Sequence, residues 1–224
     1  MKVEELEELL EDCPRLFHMA EAGSWNSIRD RGLLSTTALL DLFEVEGSAR
    51  AAIESSRRSH PFELTNEQLP RAVVRDQLPM DDTGLRRALP VNLEPADWYR
   101  LLNGRVFFWL TEERLNRLLG AAAYKGAEHD VLEIDAPALV SAYLERIWLC
   151  PINSGCTKPM PHPRDLNTFS RIANYPYEQW RRKRKKGERV VELCVDYGIP
   201  DIGEFTTRVT RRRGATVVGE LYRR

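Results

Sequence analysis

Apolar side chains recur along the chain with the two spacings that distinguish helices from strands. Helices show an apolar residue every three or four positions, whereas strands are short runs of β-branched and aromatic residues. The predicted helices span residues 3–10, 37–43, 48–58, 82–89, 96–103, 112–119, 136–143 and 177–184, with one more between Ser24 and Gly32. Thr111 and Asp135 are the predicted N-caps of the helices 112–119 and 136–143. The predicted strands span residues 72–74, 104–110, 131–134, 147–150, 190–195 and 216–218, with a first strand starting at Leu16. Because these elements do not alternate regularly, the pattern predicts an α+β fold rather than a series of βαβ units.

A histidine lies on the first predicted strand and is followed by a turn and a short helix. Ser24 is placed to cap the start of this helix, because a serine hydroxyl accepts a hydrogen bond from a first-turn amide. Gly32 is placed at the end of the helix, where glycine adopts the left-handed conformation without a Cβ clash. Trp25 and Ile28 are three residues apart, so both can face the core. This arrangement predicts that His18 is held at a strand end, over a cleft.

The composition is that of an ordinary globular protein. Of the 224 residues, 42% are hydrophobic and 30% are charged, so we expect a single domain over residues 1–224. No apolar run approaches the ~20 residues that cross a bilayer, and the acidic start of the chain does not resemble a signal peptide. We therefore expect a cytoplasmic protein that does not bind a membrane.

The four cysteines form neither a metal-binding pattern nor a disulfide pattern. None belongs to a CxxC pair, and the spacing of Cys150, Cys156 and His162 matches no common zinc site. In a cytoplasmic protein we expect reduced, mostly buried thiols, and we expect no metal.

The net charge of −1 hides an uneven distribution of charged residues. Residues 164–224 contain 15 basic and 8 acidic residues, whereas residues 1–163 contain 18 basic and 26 acidic residues. A basic C-terminal part can attract a phosphate-bearing ligand or polymer. Residues 153–174 are rich in Pro, Ser, Asn and Gly and predict a long loop, which is often a functional feature. The loop and the basic run 181–189 together make residues 153–189 the predicted target-binding region, where the target is such a phosphate-bearing ligand or polymer.

Two motifs at opposite ends of the chain resemble those of a known enzyme fold. The first is Phe17-His18 followed by Ile28 and Gly32-Leu33-Leu34-Ser35, and the second is Val191-Glu192-Leu193-Cys194-Val195 followed by Gly198-Ile199-Pro200. With both motifs the chain resembles the ADP-ribosyltransferase fold, and within it the DarT-type DNA ADP-ribosyltransferases. The likeness covers the two ends of the chain rather than its middle. It implies a split mixed sheet with surrounding helices, NAD as the substrate that is consumed, and a toxin or defence setting with an antitoxin protein as a partner.

The resemblance also implies roles for particular residues. Glu192 is the expected catalytic carboxylate, because cleavage of the nicotinamide–ribose bond passes through an oxocarbenium-like state. His18 is expected to orient ribose hydroxyls, and Arg75 to bind the pyrophosphate and take part in catalysis. Arg71 and Arg105 remain alternatives for this arginine. The expected NAD-binding residues are His18, Met19, Ser35, Arg75 and Phe108, and the candidates for stacking on nicotinamide are Phe107, Phe108, Trp109 and Tyr175.

The predicted acceptor is nucleic acid, either single-stranded DNA or RNA. In ADP-ribosyltransferases the loop before the catalytic strand faces the target, and here that loop carries arginines and lysines that can bind phosphates. Aromatic residues just before this loop can stack on bases. The predicted nucleic-acid-binding residues are Tyr175, Trp180, Arg181, Arg182, Lys183 and Arg184, and Arg211, Arg212 and Arg213 add to the same positive field if they lie nearby.

Two other functions are compatible with the same sequence. One is the hydrolysis of NAD without a macromolecular acceptor. The other is a non-catalytic module that has the same fold and binds nucleic acid without turnover, an alternative that the unmatched middle of the chain leaves open.

Overall fold

The computed structural model describes all 224 residues, which form an α+β fold with one large sheet. The helices are α1 (Val3–Asp12), α2 (Trp25–Arg31), α3 (Thr36–Leu42), α4 (Gly47–Glu54), α5 (Asp82–Ala88), α6 (Pro95–Asn103), α7 (Glu112–Leu119), α8 (Ala136–Tyr143), α9 (Tyr177–Lys183) and α10 (Ile202–Phe205). The strands are β1 (Arg15–Glu21), β2 (Leu33–Leu34), β3 (Phe62–Asn66), β4 (Leu69–Val74), β5 (Arg105–Trp109), β6 (Glu128–Asp135), β7 (Ile147–Cys150), β8 (Ser170–Arg171), β9 (Glu192–Asp196), β10 (Gly198–Ile199), β11 (Thr206–Arg213) and β12 (Thr216–Arg223). The α+β class predicted from the sequence is therefore confirmed.

Eight of the strands form one sheet in the order β12-β11-β6-β1-β5-β9-β7-β8. Every neighbouring pair in this sheet is antiparallel. Two smaller pairs, β2 with β10 and β3 with β4, are antiparallel as well. The predicted mixed sheet is wrong, because strands that run in the same direction, such as β5 and β6, are separated by an antiparallel strand and never pair.

The large sheet is nearly divided between β1 and β5. On one side, β1 pairs with β6 along its whole length, from Arg15 to Glu21. On the other side, β1 pairs with β5 only through Phe17 and Trp109. Strand β5 in turn pairs with β9 along its whole length. Beyond the Phe17–Trp109 pair the two strands part, and a gap opens between the two halves of the sheet.

Apolar side chains cover both faces of the sheet. On one face, residues such as Leu16, Phe108 and Leu193 pack with α1, α2, α8 and α10 in the main core. The opposite face is covered in two separate places, by α7 against Phe17 and by α5 and α6 against Cys194. The main core therefore joins the two halves of the sheet, whereas the other face remains open between its two clusters.

The helices and the cysteines both bear on expectations from composition. None of the helices combines the length and the apolar character that crossing a bilayer requires. All four cysteines are free, and Cys13, Cys150 and Cys194 are buried. The expectation of unpaired, mostly buried thiols is confirmed.

Helix capping follows the sequence at two of the three predicted positions. The side chains of Thr111 and Asp135 each accept a hydrogen bond from the backbone amide three residues ahead, at 3.4 Å and 3.0 Å. The Ser24 side chain makes no capping bond. Instead, the buried carboxylate of Asp130 accepts hydrogen bonds from the backbone amides on either side of Ser24, at 2.9 Å and 3.2 Å. The prediction for Ser24 is wrong because β6 brings in a charged acceptor, which binds amides more strongly than a hydroxyl does.

Gly32 ends α2 as predicted, but not in the left-handed helical conformation. Its backbone has φ +92° and ψ 166°, a region that residues with a Cβ rarely adopt. A Cβ at this position would lie 2.4 Å from the Cα of Pro200. This close approach accompanies the pairing of Leu33 with Ile199, which ties the end of α2 to the turn after β9.

The sequence predicts no strand at β3 or β11. Strand β11 lies inside the sheet, between β12 and β6, although four of its eight residues are arginines. These arginines pair with acidic residues: Arg211 with Asp130 at 2.5 Å, and Arg212 with Glu133 at 3.4 Å. The strand is missed because ion pairs to neighbouring elements, rather than apolar alternation, place it in the sheet.

Replacing Gly32 with alanine should destabilise the fold more than the same change at Gly23. Both residues have φ near +90°, but a Cβ at Gly23 meets nothing within 4 Å. We expect Gly23→Ala to cost about 1 kcal/mol from backbone strain alone, and Gly32→Ala to cost about 2–4 kcal/mol because the clash with Pro200 adds to this strain. Urea denaturation followed by circular dichroism measures both. Equal costs would show that the contact with Pro200 is not tight.

Candidate active site

A cavity of about 610 Å³ opens at the gap between β1 and β5. This volume is within the range of about 300–1,000 Å³ that is usual for small-molecule sites. Residues from both faces of the sheet line it, including Leu33 and Ser35 on one side and Trp109 and Arg114 on the other. Apart from the stacking candidate Tyr175, the residues predicted to bind or cleave NAD line this cavity, among them His18, Met19, Ser35, Arg75, Phe108 and Glu192.

The histidine and the glutamate enter the cavity from two strands that are not neighbours. Strand β5 lies between β1 and β9. Trp109 of β5 is in register with both Phe17 and Glu192, so these three side chains share one face of the sheet. His18 follows Phe17 and therefore starts from the opposite face, because successive strand residues alternate. The cavity receives both side chains because it passes through the gap in the sheet.

The Glu192 side chain is buried at the start of β9, with only 4% of the residue exposed. Both carboxylate oxygens accept from the backbone amide of Ser154, at 3.1 Å and 3.2 Å. Burial raises the pKa of Glu192 to about 7, while the Ser154 amide and the charges of Arg164 and Arg114 act in the opposite direction. A carboxyl group with this pKa can exist in either protonation state near neutral pH, as a general acid or base requires.

The loop that supplies the Ser154 amide is built into the cavity wall. Residues 153–156 line the cavity, and Ser154, Thr157 and Arg164 are all nearly completely buried. The predicted target-binding region, residues 153–189, therefore begins inside the protein. Its first part does not form a free surface, because its backbone is engaged with the buried Glu192 carboxylate.

The imidazole of His18 bridges the gap between β1 and β5. Its Nδ1 lies 2.9 Å from the carbonyl oxygen of Phe107, and since a carbonyl can only accept, Nδ1 carries the proton. Burial lowers the pKa of His18 to about 4, and the charge of Arg75 contributes to the decrease, whereas the bond to Phe107 opposes it. The ring is therefore neutral at pH 7, with Nε2 as an acceptor for a hydroxyl or amide group of a ligand.

Arg75 follows β4 and lines the cavity with a charge that is only weakly compensated. Its Nη1 is 3.4 Å from the carbonyl oxygen of Met19, and its guanidinium lies 5.1 Å from the centre of the Tyr124 ring. The carboxylate of Asp76 is 4.0 Å away, and the buried Nε makes no hydrogen bond. Arg58 fixes the backbone here by donating to the Arg75 carbonyl at 2.7 Å. A guanidinium with free donors suits an anionic ligand.

The two alternative arginines are engaged in other contacts. Arg71 is exposed at the rim of the cavity and pairs with Glu63 on the neighbouring strand. The side chain of Arg105 is 8% exposed, pairs with Asp196 at 3.1 Å and lies over two aromatic rings. Arg75 is therefore the best placed of the three for a ligand in the cavity.

Among the aromatic candidates, none of the buried rings is a free stacking surface. Phe108 is 1% exposed and packs in the main core, with its ring centre 5.8 Å from that of His18. Phe107 and Trp109 are half-buried and line the cavity from the opposite face. Tyr175 is 2% exposed and does not line the cavity, so its prediction as a nicotinamide-stacking residue is wrong.

The two remaining predicted NAD-binding residues contribute mainly backbone or structural contacts. The Ser35 hydroxyl accepts from the amide of Ala38 at 3.1 Å and caps α3. Met19 is half-buried, and its carbonyl is the group that Arg75 contacts. Both therefore shape the cavity wall.

The aromatic residues before β9 are not available for base stacking as predicted. The Tyr175 hydroxyl donates to the carbonyl oxygen of Arg189 at 2.7 Å from a fully buried ring. Trp180 is half-buried, and the guanidinium of Arg184 covers its ring at 4.2 Å, with the Lys183 ammonium at 5.5 Å. The prediction for Tyr175 is wrong because the ring completes the main core instead of facing solvent.

The exposed arginines of α9 already have acidic partners. Arg181 and Arg182 contact Glu178 at 3.5 Å and 3.0 Å, and Arg181 also contacts Glu8 of α1 at 3.6 Å. The Arg182 side chain nevertheless remains 78% exposed and accessible to a phosphate. Arg211–Arg213 lie on β11, which three strands separate from β9, and they pair with acids of their own surroundings. They do not extend the same positive field.

The sequence predictions missed one wall of the cavity, formed by α7 and the turn after it. Arg114 and Arg117 bring two guanidinium groups to this wall, and both have acidic partners: Arg114 pairs with Glu188 just before β9, and Arg117 with Glu113. The signal is visible in the sequence, because residues spaced by three, four and seven share one helical face. The lining residues of this wall are Arg114, Arg117, Leu118, Ala121 and Tyr124.

A family model described as a family of unknown function (DUF7002) matches residues 14–206. The match starts after α1 and includes every residue that lines the cavity. No curated protein and no solved structure matches the chain.

Burial of Glu192 should make the fold less stable as the pH rises. Its pKa is about 7 in the folded protein and near 4.5 in an unfolded chain, so unfolding releases a proton between these pH values. The free energy of unfolding therefore falls with pH over this window and then levels off. We expect Glu192→Gln to gain stability over the wild type between pH 5 and pH 8, on the order of 2–3 kcal/mol. Urea denaturation across this pH range measures the difference.

Glu7→Gln is the control, because Glu7 of α1 is exposed and this substitution removes a carboxylate that is not buried. A constant difference between Glu192→Gln and the wild type across this range would contradict the raised pKa.

Proposed function

Because the chain belongs to the family of unknown function DUF7002, we propose its activity from the cavity itself. The protein cleaves NAD at the nicotinamide–ribose bond and transfers ADP-ribose to nucleic acid. The observation that carries this proposal is the convergence of His18, Arg75 and Glu192 on one cavity, although they lie in three distant segments of the chain. In the same proposal, the gap between β1 and β5 is the split of an ADP-ribosyltransferase fold, whose motifs the two chain ends resemble.

Glu192 provides the carboxylate that this reaction needs. When the bond between nicotinamide and C1′ breaks, nicotinamide leaves with the bonding electrons and the ribose carries positive charge. The Glu192 carboxylate accepts a hydrogen bond from the ribose 2′-hydroxyl and stabilises the positive charge of the ribose. This electrostatic interaction is strong because the carboxylate is buried. The acceptor then forms a bond to C1′ and loses a proton, which a carboxylate with a pKa of about 7 can take.

Arg75 and His18 bind the rest of the substrate. The Arg75 guanidinium has a buried Nε without a partner and only a distant carboxylate, so it can donate to a pyrophosphate. The neutral His18 ring accepts through Nε2, which suits a ribose hydroxyl. Their roles differ: Arg75 matches the negative charge of the pyrophosphate, whereas His18 orients the uncharged ribose.

A nucleic acid acceptor fits the charge around the cavity. Arg71 and Arg117 are exposed at its rim, and the Arg182 and Lys186 side chains, close to the start of β9, are more than two-thirds exposed. Exposed cations at this density bind phosphates along a polymer. Acidic partners weaken this field, because each of these four cations pairs with a carboxylate, and the buried Tyr175 takes no part in it.

Glu192→Gln should reduce nicotinamide release from NAD at least about a hundredfold, because an amide cannot offset the developing positive charge. Nicotinamide quantified by liquid chromatography measures turnover, and Glu7→Gln should retain wild-type turnover. For the wild type, kcat/KM should rise with pH through about 7, because the ionised carboxylate is the active form. Full turnover in Glu192→Gln, or a rate that falls as pH rises through 7, would refute the role of Glu192.

The acceptor can be identified with NAD that carries a label in its adenylate phosphate. We expect the label to remain on single-stranded DNA or RNA after protease treatment and denaturing electrophoresis, and to be absent with Glu192→Gln. Free labelled ADP-ribose with no labelled polymer would instead indicate an NAD glycohydrolase. Salt-sensitive polymer binding without nicotinamide release would indicate a non-catalytic binding module.

A further inference from the structure

A buried arginine holds the loop that binds Glu192. Arg164 is 3% exposed, and no carboxylate lies within 4 Å of its guanidinium. Its N–H groups instead donate hydrogen bonds to backbone carbonyl oxygens: Nη1 to Ser154 at 2.8 Å, Nη2 to Cys156 at 2.8 Å and Nε to His162 at 3.0 Å. One side chain therefore fixes three points of this loop.

Ser154 is the point where this loop meets the site. Its carbonyl oxygen accepts from Arg164 and also from Nε1 of the buried Trp98, at 3.3 Å. Its amide donates to both oxygens of Glu192. The guanidinium of Arg164 lies 5.5 Å from the centre of the Trp98 ring, so the two donors also pack on each other. The position of the amide thus depends on contacts made by the same residue's carbonyl.

A charged residue is a costly way to anchor a loop. Removing a guanidinium from water without a carboxylate partner is unfavourable, and burial lowers the pKa of Arg164 accordingly. A neutral donor could hold the same carbonyls at lower cost. The positive charge has a second effect, since it favours the ionised form of the nearby Glu192.

We propose that Arg164 is a positioning residue for Glu192. By bridging the carbonyls of Ser154 and Cys156 it holds the Ser154 amide against the carboxylate, in the orientation that the reaction proposed above requires. The assignment to a reaction rests on that proposed function, whereas the effect on Glu192 itself can be measured without any turnover.

Two substitutions separate the bridging contacts from the charge. Arg164→Gln removes the charge and the bidentate donors, whereas Arg164→Lys retains the charge but not the rigid fork. Arg146→Gln is the matched control, because Arg146 also bridges two carbonyls, those of Asp196 and Gly198, at the other end of β9. If Arg164→Gln does not fold, Trp98→Phe removes the other donor to the Ser154 carbonyl.

The first readout is the apoprotein, by NMR. In Arg164→Gln we expect the titration midpoint of the Glu192 carboxyl to rise by about one pH unit. The Ser154 amide should exchange with solvent about tenfold faster. Arg146→Gln should leave both values unchanged. An unmoved Glu192 titration and Ser154 exchange in Arg164→Gln would overturn the proposal, and so would equal changes in Arg146→Gln.

The second readout is turnover of NAD. Both Arg164 variants should lower kcat about tenfold with little change in KM, because the contacts act on the carboxylate rather than on substrate binding. Wild-type kcat in Arg164→Lys would overturn the bridging role, since charge alone would then be sufficient. If the wild type releases no nicotinamide, the proposed function fails, and the NMR measurements still decide whether Arg164 positions Glu192.

Discussion

The cavity depends on how β1 and β5 pair. In most of the large sheet, neighbouring strands share a continuous ladder, but these two share a single registered pair, Phe17 with Trp109. Edge groups exposed by such a gap need other partners, and His18 supplies one by donating to the Phe107 carbonyl, while Arg75 contacts the Met19 carbonyl. The polar side chains of the candidate site therefore also complete the backbone hydrogen bonding of the sheet. Changes in this pairing would alter the fold and the site together.

Two buried titratable groups give the site opposite effects on stability. The folded protein holds His18 neutral, with a pKa of about 4 against an ordinary 6.5. The free energy of unfolding therefore falls as the pH drops through that window. Glu192 has the opposite effect: its pKa is raised to about 7, so the free energy of unfolding falls as the pH rises towards 7. Between about pH 4.5 and 6.5 the changes in the free energy of unfolding that arise from His18 and from Glu192 offset each other. The cost of burying both groups is what keeps one neutral and the other close to half-ionised near pH 7.

How far the candidate site follows from the sequence differs from residue to residue. His18 and Glu192 lie in short local motifs, and both line the cavity as expected. Ser154 and Arg164 carry no such signal, because they act through backbone carbonyls and amides that any residue has. The buried Tyr175 cannot be told from a base-stacking residue by sequence, because an aromatic residue beside a basic run has the same local pattern whether its ring faces solvent or the core. Position in the fold, rather than residue type, separates these cases.

Local sequence patterns were sufficient for the α+β class, most of the helices and the cap residues Thr111 and Asp135, because these features depend on side-chain periodicity and on bonds within a few residues. They did not determine β11, whose arginines enter the sheet through carboxylates on β6, nor the cap of α2, which Asp130 supplies. The three-dimensional arrangement was needed to show that β5 lies between the two motif-bearing strands and that the gap beside it receives both side chains. Strand order and burial depend on contacts between distant residues, and local patterns do not contain them.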